Sequence, residues 1–244
     1  MTRKLELYGD KIGAVEYVEH MGSDLSVVNA ARVSFGKHKE TLGEKDKRLI
    51  KYLIKHRHTS TLEHNVVTFR FTVPLFVRSQ HHRHRTWSYN EISRRYTDID
   101  IKFYEPERFR TQHKSNRQAS NEDDLINPAI LANAGHMSYP VDIPISTVVH
   151  NHHMNSLILY EKMIAAGVCR EQARGVLPQN MYTQYYGTVN LNNLLKFIDL
   201  RTHEGAQWEI QKMAEACLSI ATDLWPVAVT SYRDIRYGHD SGSS

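Results

Sequence analysis

The chain has 244 residues, 41% hydrophobic and 24% charged, enough for one large domain or two small ones with an ordinary core. It contains no run of 18 apolar residues and its first residues lack an apolar stretch, so neither a membrane span nor a secretory leader is expected. Two cysteines, Cys169 and Cys217, are too few for a disulfide framework or a thiolate zinc cage, and a reduced cytoplasmic protein with both thiols packed inside is expected. The net charge of +4 is local: Arg78 to Tyr96 holds five arginines, no lysine and one acid, Glu91, while the remaining 225 residues balance at 26 basic against 26 acidic. That argues against a broad basic face for duplex DNA and fits a compact anionic ligand.

Residues Leu25–Val33 and Asp46–His56 read as helices, the second carrying Leu49, Ile50, Leu53 and Ile54 on one face. From Asn65 to Val73 the period changes to two. Val67, Phe69, Phe71 and Val73 alternate with Val66, Thr68, Arg70 and Thr72, as in a half-buried strand. Pro74 ends that strand, and Leu75–Arg83 follows as a short helix. Ile99, Ile101 and Phe103 share one face of Tyr96–Phe103, which predicts another strand. Gln112–Asp142, polar and interrupted by Pro128 and Pro140, reads as a long excursion with one short helix near Ala129–Ala134. Ser146–Ala166, Glu171–Val176, Leu191–Leu200 and Ala206–Asp223 are helical; Pro226 closes the last, and Val227–Tyr232 reads as a final strand. Strands thus cluster in the first half and helices in the second. With no internal repeat, no β-α-β alternation, no GxGxxG and no GxxxxGK[ST], a doubly wound nucleotide fold is not expected. The class is α+β.

The charged segment runs Gln80-His81-His82-Arg83-His84-Arg85-Thr86-Trp87-Ser88-Tyr89-Asn90-Glu91-Ile92-Ser93-Arg94-Arg95-Tyr96. Arginine forks grip phosphate oxygens bidentately at every working pH, and Trp87, Tyr89 and Tyr96 offer rings for stacking. The residues alone leave four readings open. One is a compact anion site, and another a solvated basic segment. A third is a metal hydrolase using His56-x-His58 and His82-x-His84, against which stand the missing aspartate and the repulsion of nearby arginines. The fourth is a single-stranded nucleic-acid binder, against which stand the absence of lysine and the narrowness of the charge.

Arg83-His84-Arg85, Ser88, Asn90-Glu91, Ser93 and Arg95 match RHRxxSxNExSxR at all eight fixed positions. That pattern resembles the signature of the flavin-dependent thymidylate synthases. The likeness extends to His56-Arg57-His58-Thr59-Ser60-Thr61-Leu62-Glu63-His64, to Ala173–Pro178, to Asn190–Arg201 and to Ala206-Gln207-Trp208-Glu209-Ile210, and so covers about residues 25 to 225.

The resemblance implies a single α+β domain over residues 1–244, an antiparallel or mixed sheet flanked by helices, assembled as a homotetramer with active sites between subunits. It implies synthesis of dTMP from dUMP, with 5,10-methylenetetrahydrofolate as carbon donor, FAD reduced by NADPH, and tetrahydrofolate released. By similarity His58, Ser60, Arg83, His84, Arg85 and Glu91 contact FAD, joined by Asn190, Asn192 and Lys196; at the last, relatives often carry a neutral polar residue. Gln80, Arg83, Glu91, Ser93, Arg94, Arg95, Arg174 and Arg201 are the matching positions for dUMP. Some relatives have glycine where Arg94 stands, so the backbone there is read as the contact. Arg174 could instead pair with Glu171, and Arg201 could merely complement a helix C-terminus. Arg201 is the expected catalytic group, stabilising the uracil anion left when N3–H is lost. Ser93 is expected to orient dUMP rather than attack C6, because no histidine is placed to activate it. No metal, nucleic acid or membrane is expected to take part.

Overall fold

The structure, a computed structural model, describes residues 3–132 and 141–238. In chain order the elements are β1 (Lys4–Glu6), β2 (Ala14–Met21), α1 (Asp24–Arg32), α2 (Glu44–Lys55), β3 (Val66–Pro74), α3 (Leu75–His81) and β4 (Ser88–Glu91). There follow β5 (Phe109–Gln112), β6 (Ser120–Ile126), β7 (Ala129–Ala132), β8 (Val141–Pro144), α4 (Ile145–Ala165), α5 (Arg170–Ala173) and β9 (Tyr182–Asn190). The chain ends in α6 (Leu191–Arg201), α7 (Trp208–Leu224) and α8 (Pro226–Tyr237). This is the expected α+β class.

The central sheet has the order β1-β2-β3-β9-β4, and every pairing in it is antiparallel. Strand β3 is the one anticipated from its alternation, and Val67, Phe69, Phe71 and Val73 face the core. Its partner β9 runs beside it for nine residue pairs, bringing Tyr185 and Val189 to the same buried face. Gly187 lies opposite Phe69; a Cβ there would meet the Phe71 ring at 2.8 Å and the Trp87 ring at 3.2 Å, so only glycine lets three strands close on these aromatics. Helices α1, α2, α6, α7 and α8 cover this face, with Ile50, Leu194, Leu195, Phe197, Ile210, Met213 and Trp225 fully or almost fully buried.

Three element assignments fail, each for a physical reason. Tyr96–Phe103 is not a strand: the Ser93 carbonyl accepts from the N–H groups of Tyr96 and Thr97, Asp100 is left-handed, and only Phe103 pairs, in one bridge to Met181. The described part of Ala129–Ala134 is strand β7, paired with β8, while residues 133 and 134 lie outside the described residues. The excursion carries a second hairpin too, β5 with β6. Val227–Tyr232 belongs to helix α8, because Pro226 opens a helix rather than only ending one. Both Asp24 carboxylate oxygens accept from that helix's first free N–H groups, Val227 and Ala228, at 2.9 Å each. Of the central sheet, strands β1, β2, β4 and β9 were not foreseen, and β9 breaks the division into a strand-rich first half and a helical second. Cys217 is buried as expected, but Cys169 is exposed at the start of α5. No helix among the described residues is long and apolar enough to cross a membrane.

The buried Asp24 cap ties α1 to α8 across more than 200 residues of sequence. Asp24→Ala should lower the unfolding free energy by about 2 kcal/mol, and Asp24→Asn by less, since an amide oxygen still accepts one of the two bonds. Urea unfolding of the three proteins measures this.

Candidate functional site

Helix α3 separates two pockets. Leu75 and Arg78 face one, while Ser79 and Gln80, with Arg83 just beyond the helix, face the other. The second of these is an open space of about 720 Å³ bounded also by His84, Arg85, Leu200 and Arg201. Arg201 is the last residue of α6, and two contacts hold its guanidinium. Nε donates to His84 Nε2 at 3.1 Å, and Nη2 to the Gln80 carbonyl at 3.4 Å. A ring nitrogen that accepts cannot carry a proton, so His84 is neutral and protonated on Nδ1. Burial, with the adjacent Arg201 charge, holds its pKa down to about 4. Burial and then Arg83 lower the pKa of Arg201, which remains a cation at working pH. Arg83 and Arg85 are exposed, and among the described residues neither pairs with a carboxylate. The space is therefore cationic and suits a phosphate or diphosphate.

The other pocket, about 470 Å³, is bounded by Arg78, Glu91, Ser93, Arg94, Arg174 and Thr183, among others. Strand β4 sets Glu91 opposite Tyr185 of β9, and its Oε1 accepts from Arg78 Nε at 3.1 Å and from the Thr183 hydroxyl at 2.6 Å. The Ser93 hydroxyl accepts from the Arg95 backbone N–H at 3.3 Å, and no histidine or lysine bonds to it among the described residues. Arg94 is only 8% exposed; its Nη1 donates to the Ile99 carbonyl at 2.8 Å, while its buried Nε has no hydrogen-bond partner among the described residues. Arg95 and Arg174 are exposed; Glu171 lies 4.0 Å from Arg95 rather than pairing with Arg174.

The remaining sequence candidates line neither pocket. His58 and Ser60 are exposed beyond α2, with the His58 ring stacked 6.3 Å from Tyr52. Asn190 caps α6 by accepting from the Asn193 N–H, and Asn192, buried, donates to Glu63 at 3.0 Å. Lys196 is exposed one turn further along. The HxH histidines are engaged separately: His56 packs 4.2 Å from Tyr52, His82 stacks 4.1 Å from Tyr89, and His84 receives Arg201. Among the described residues no three histidine, cysteine or acidic side chains gather to hold a metal ion.

Sequence reasoning did not single out Arg78 and Thr183, which brace Glu91, nor His81, whose buried ring bonds the Tyr185 hydroxyl at 2.8 Å. It also passed over the surroundings of Glu209. This carboxylate is 3% exposed and accepts from Tyr104 at 3.1 Å and Arg110 at 2.6 Å through Oε1, and from Gln207 at 2.8 Å through Oε2. Gln207 in turn accepts from the Gln80 amide. The available sign was an acid on the same helical stripe as Met213, Ala216 and Ile220.

Residues 16–227 match the family described as thymidylate synthase complementing protein. A flavin-dependent thymidylate synthase of Thermus thermophilus is 40% identical over 91% of this chain and 76% of its own length. One from Kosmotoga olearia is 38% identical over 93% of each chain. Among solved structures, a UMP/dUMP methylase, PolB from Streptomyces cacaoi, bound with 5-Br dUMP, superposes with a TM-score of 0.72 at 30% identity, covering 93% of this chain and 97% of that one.

The Arg201–His84 bond requires a neutral ring. By NMR, His84 should titrate near pH 4, and Arg201→Leu should move its midpoint up toward the ordinary 6.5. Because the folded value lies below the unfolded one, this group's contribution to stability is present above about pH 6.5 and is lost as the pH falls toward 4.

Proposed function

The chain belongs to the family of flavin-dependent thymidylate synthases, and from that premise we propose that it converts dUMP to dTMP with 5,10-methylenetetrahydrofolate as carbon donor, releasing tetrahydrofolate. The observation that carries this reading is Arg201. It is held by two neutral acceptors, so its charge is not cancelled, in a pocket shared with Arg83 and Arg85. A guanidinium beside uracil N3 and its neighbouring carbonyl stabilises the anion formed as N3–H departs, and the electron density moved into the ring makes C5 a carbon nucleophile. Among the described residues no side-chain base hydrogen-bonds to Ser93, so in this reading it acts on the nucleotide's position and forms no bond to C6.

FAD, when bound, supplies the two-electron reduction, drawn from NADPH, that completes the methyl group. The residues fit such a group: Arg83 and Arg85 are cations on an open pocket with no carboxylate partner among the described residues, as a diphosphate requires. In this reading Arg83, His84 and Arg85 hold it, with His58, Ser60, Asn190, Asn192, Lys196 and Glu91 around it.

The dUMP set also supports a site shared between chains. Gln80, Arg83 and Arg201 lie on one side of α3, while Glu91, Ser93, Arg94 and Arg174 lie on the other. A helix with its side chains is about 10 Å thick, too wide for one nucleotide to be gripped from both faces. Two copies bringing opposite pockets together remove the conflict, which favours a site shared between subunits, as the proposed homotetramer provides.

Purified protein should be yellow and form dTMP from dUMP with the folate and NADPH, with UMP offered in parallel to test the sugar. Arg201→Leu should lose this activity, while Ser93→Ala should keep measurable turnover at saturating dUMP. A Ser93→Ala enzyme that binds dUMP normally and never turns over counts against the serine's role. Mixing unfolded Arg201→Leu and Arg174→Leu chains and refolding them together should restore about a quarter of the sites if each site draws these arginines from different copies. A site contained in one chain restores none.

A further inference from the structure

The Ala206–Ile210 block, part of the family likeness, has no role in the chemistry so far. Its buried acid ends a chain of bonds that begins at a dUMP residue. Arg110 can only donate, and it donates to Glu209 Oε1 together with the Tyr104 hydroxyl. Glu209 is acceptor-only when ionised, and its other oxygen, Oε2, must take a donor, which is Gln207 Nε2. With its NH2 committed, Gln207 has only its amide oxygen to turn toward Gln80, and Gln80 must answer with its own NH2. One orientation of two amides follows from one buried ion pair. Gln80 lines the Arg201 pocket, and the amide end it has left over, without a partner among the described residues, is its oxygen.

We infer that Glu209 is a positioning residue for the nucleotide: through Gln207 it fixes the Gln80 amide so that an acceptor, not a donor, meets the substrate. This rests on the proposed reading that dUMP occupies the Arg201 pocket. Most polar atoms of dUMP accept, and the surrounding arginines serve those. Its donors are N3–H and the 3′-hydroxyl, and the Gln80 oxygen is the complement to one of them. A freely rotating glutamine would lose this discrimination, because its two ends have nearly the same shape and opposite polarity.

Glu209→Gln is the decisive variant, since it conserves shape and inverts the chain. Arg110 still only donates, so the new amide oxygen takes the Oε1 place and its NH2 faces Gln207. Gln207 then reverses, Gln80 reverses, and an NH2 confronts a substrate donor. Calorimetric Kd for dUMP and the KM for dUMP should both rise roughly tenfold to a hundredfold, the range for a buried polar group left facing its own kind. The kcat at saturating dUMP should change by less than about threefold, which separates positioning from chemistry. Gln207→Leu, which leaves the Glu209–Arg110 pair intact and only frees Gln80, should raise Kd by a few fold, less than the inversion does.

A wild-type Kd in Glu209→Gln overturns the inference, as does a Gln207→Leu penalty equal to that of Glu209→Gln, which would mean packing alone. Should Glu209→Gln not fold, Gln207→Leu decides, and an unchanged Kd there overturns the inference as well. Failure of the wild-type protein to form dTMP overturns the proposed function instead.

Discussion

Both pockets hang from the register of β3 against β9. Nine consecutive pairs join Val66–Pro74 to Tyr182–Asn190, and each end of the ladder launches an element of the site. Past Pro74 the chain enters α3, which carries Arg78 and Gln80 to its two sides. Past Asn190 it enters α6, whose eleven residues span about 16 Å and deliver Arg201 to the same neighbourhood. Strand β4 pairs with the free edge of β9 and so sets Glu91 within reach of Thr183. A slip of one residue would turn Phe69, Phe71 and Val73 to solvent and carry Glu91 away from its brace. Gly187 guards against such a slip, because the aromatic rings of Phe71 and Trp87 close on the one position that has no side chain.

The arginines around this frame are held in chemically distinct ways, and the difference decides what each can do. Arg78 and Arg110 meet carboxylates, so their charges are cancelled and they serve as braces for Glu91 and Glu209. Arg94 donates through Nη1 to a backbone carbonyl and closes a turn. Arg201 is held by a carbonyl and a neutral imidazole, acceptors that orient it without consuming its charge. A carboxylate in place of His84 would neutralise the group meant for an anion, and a protonated imidazole would repel it. The depressed pKa of His84 is thus the condition for an aimed, uncompensated cation.

Elements with strong periodicity were legible in the sequence: β3 from its alternation, and α2, α4, α6 and α7 from their spacing. Val227–Tyr232 was misread because a run of β-branched and aromatic residues favours a strand, and the overriding cap, Asp24, lies more than 200 residues away. Ile99, Ile101 and Phe103 mimicked a strand over too few residues, while the turn fixed by Arg94 decided the backbone. The site was legible as a motif, since Arg83 to Arg95 is contiguous and its eight fixed positions can be counted. What spacing cannot express is partnership between distant segments. Thr183 under Glu91 and Gln207 under Gln80 are ordinary residues in sequence, and only the closing of β9 and α7 onto α3 gives them work.

The wall formed by α3 has an electrostatic consequence for the shared site proposed here. Bringing one copy's Arg83, Arg85 and Arg201 against another's Arg95 and Arg174 gathers five cations, of which, among the described residues, Arg95 alone has a carboxylate within reach, Glu171 at 4.0 Å. Like charges in a half-desolvated space repel by several kcal/mol in total, and salt screens them only in part. A nucleotide phosphate and a cofactor diphosphate are the natural counter-charges, so the assembly and its anions stabilise one another by linkage. Each chain alone has its arginines on exposed surfaces where water solvates them cheaply. In the proposed assembly, the incomplete pocket of a lone copy and the repulsion between empty pockets are thus two sides of one arrangement, which would hold charge uncompensated until substrate arrives.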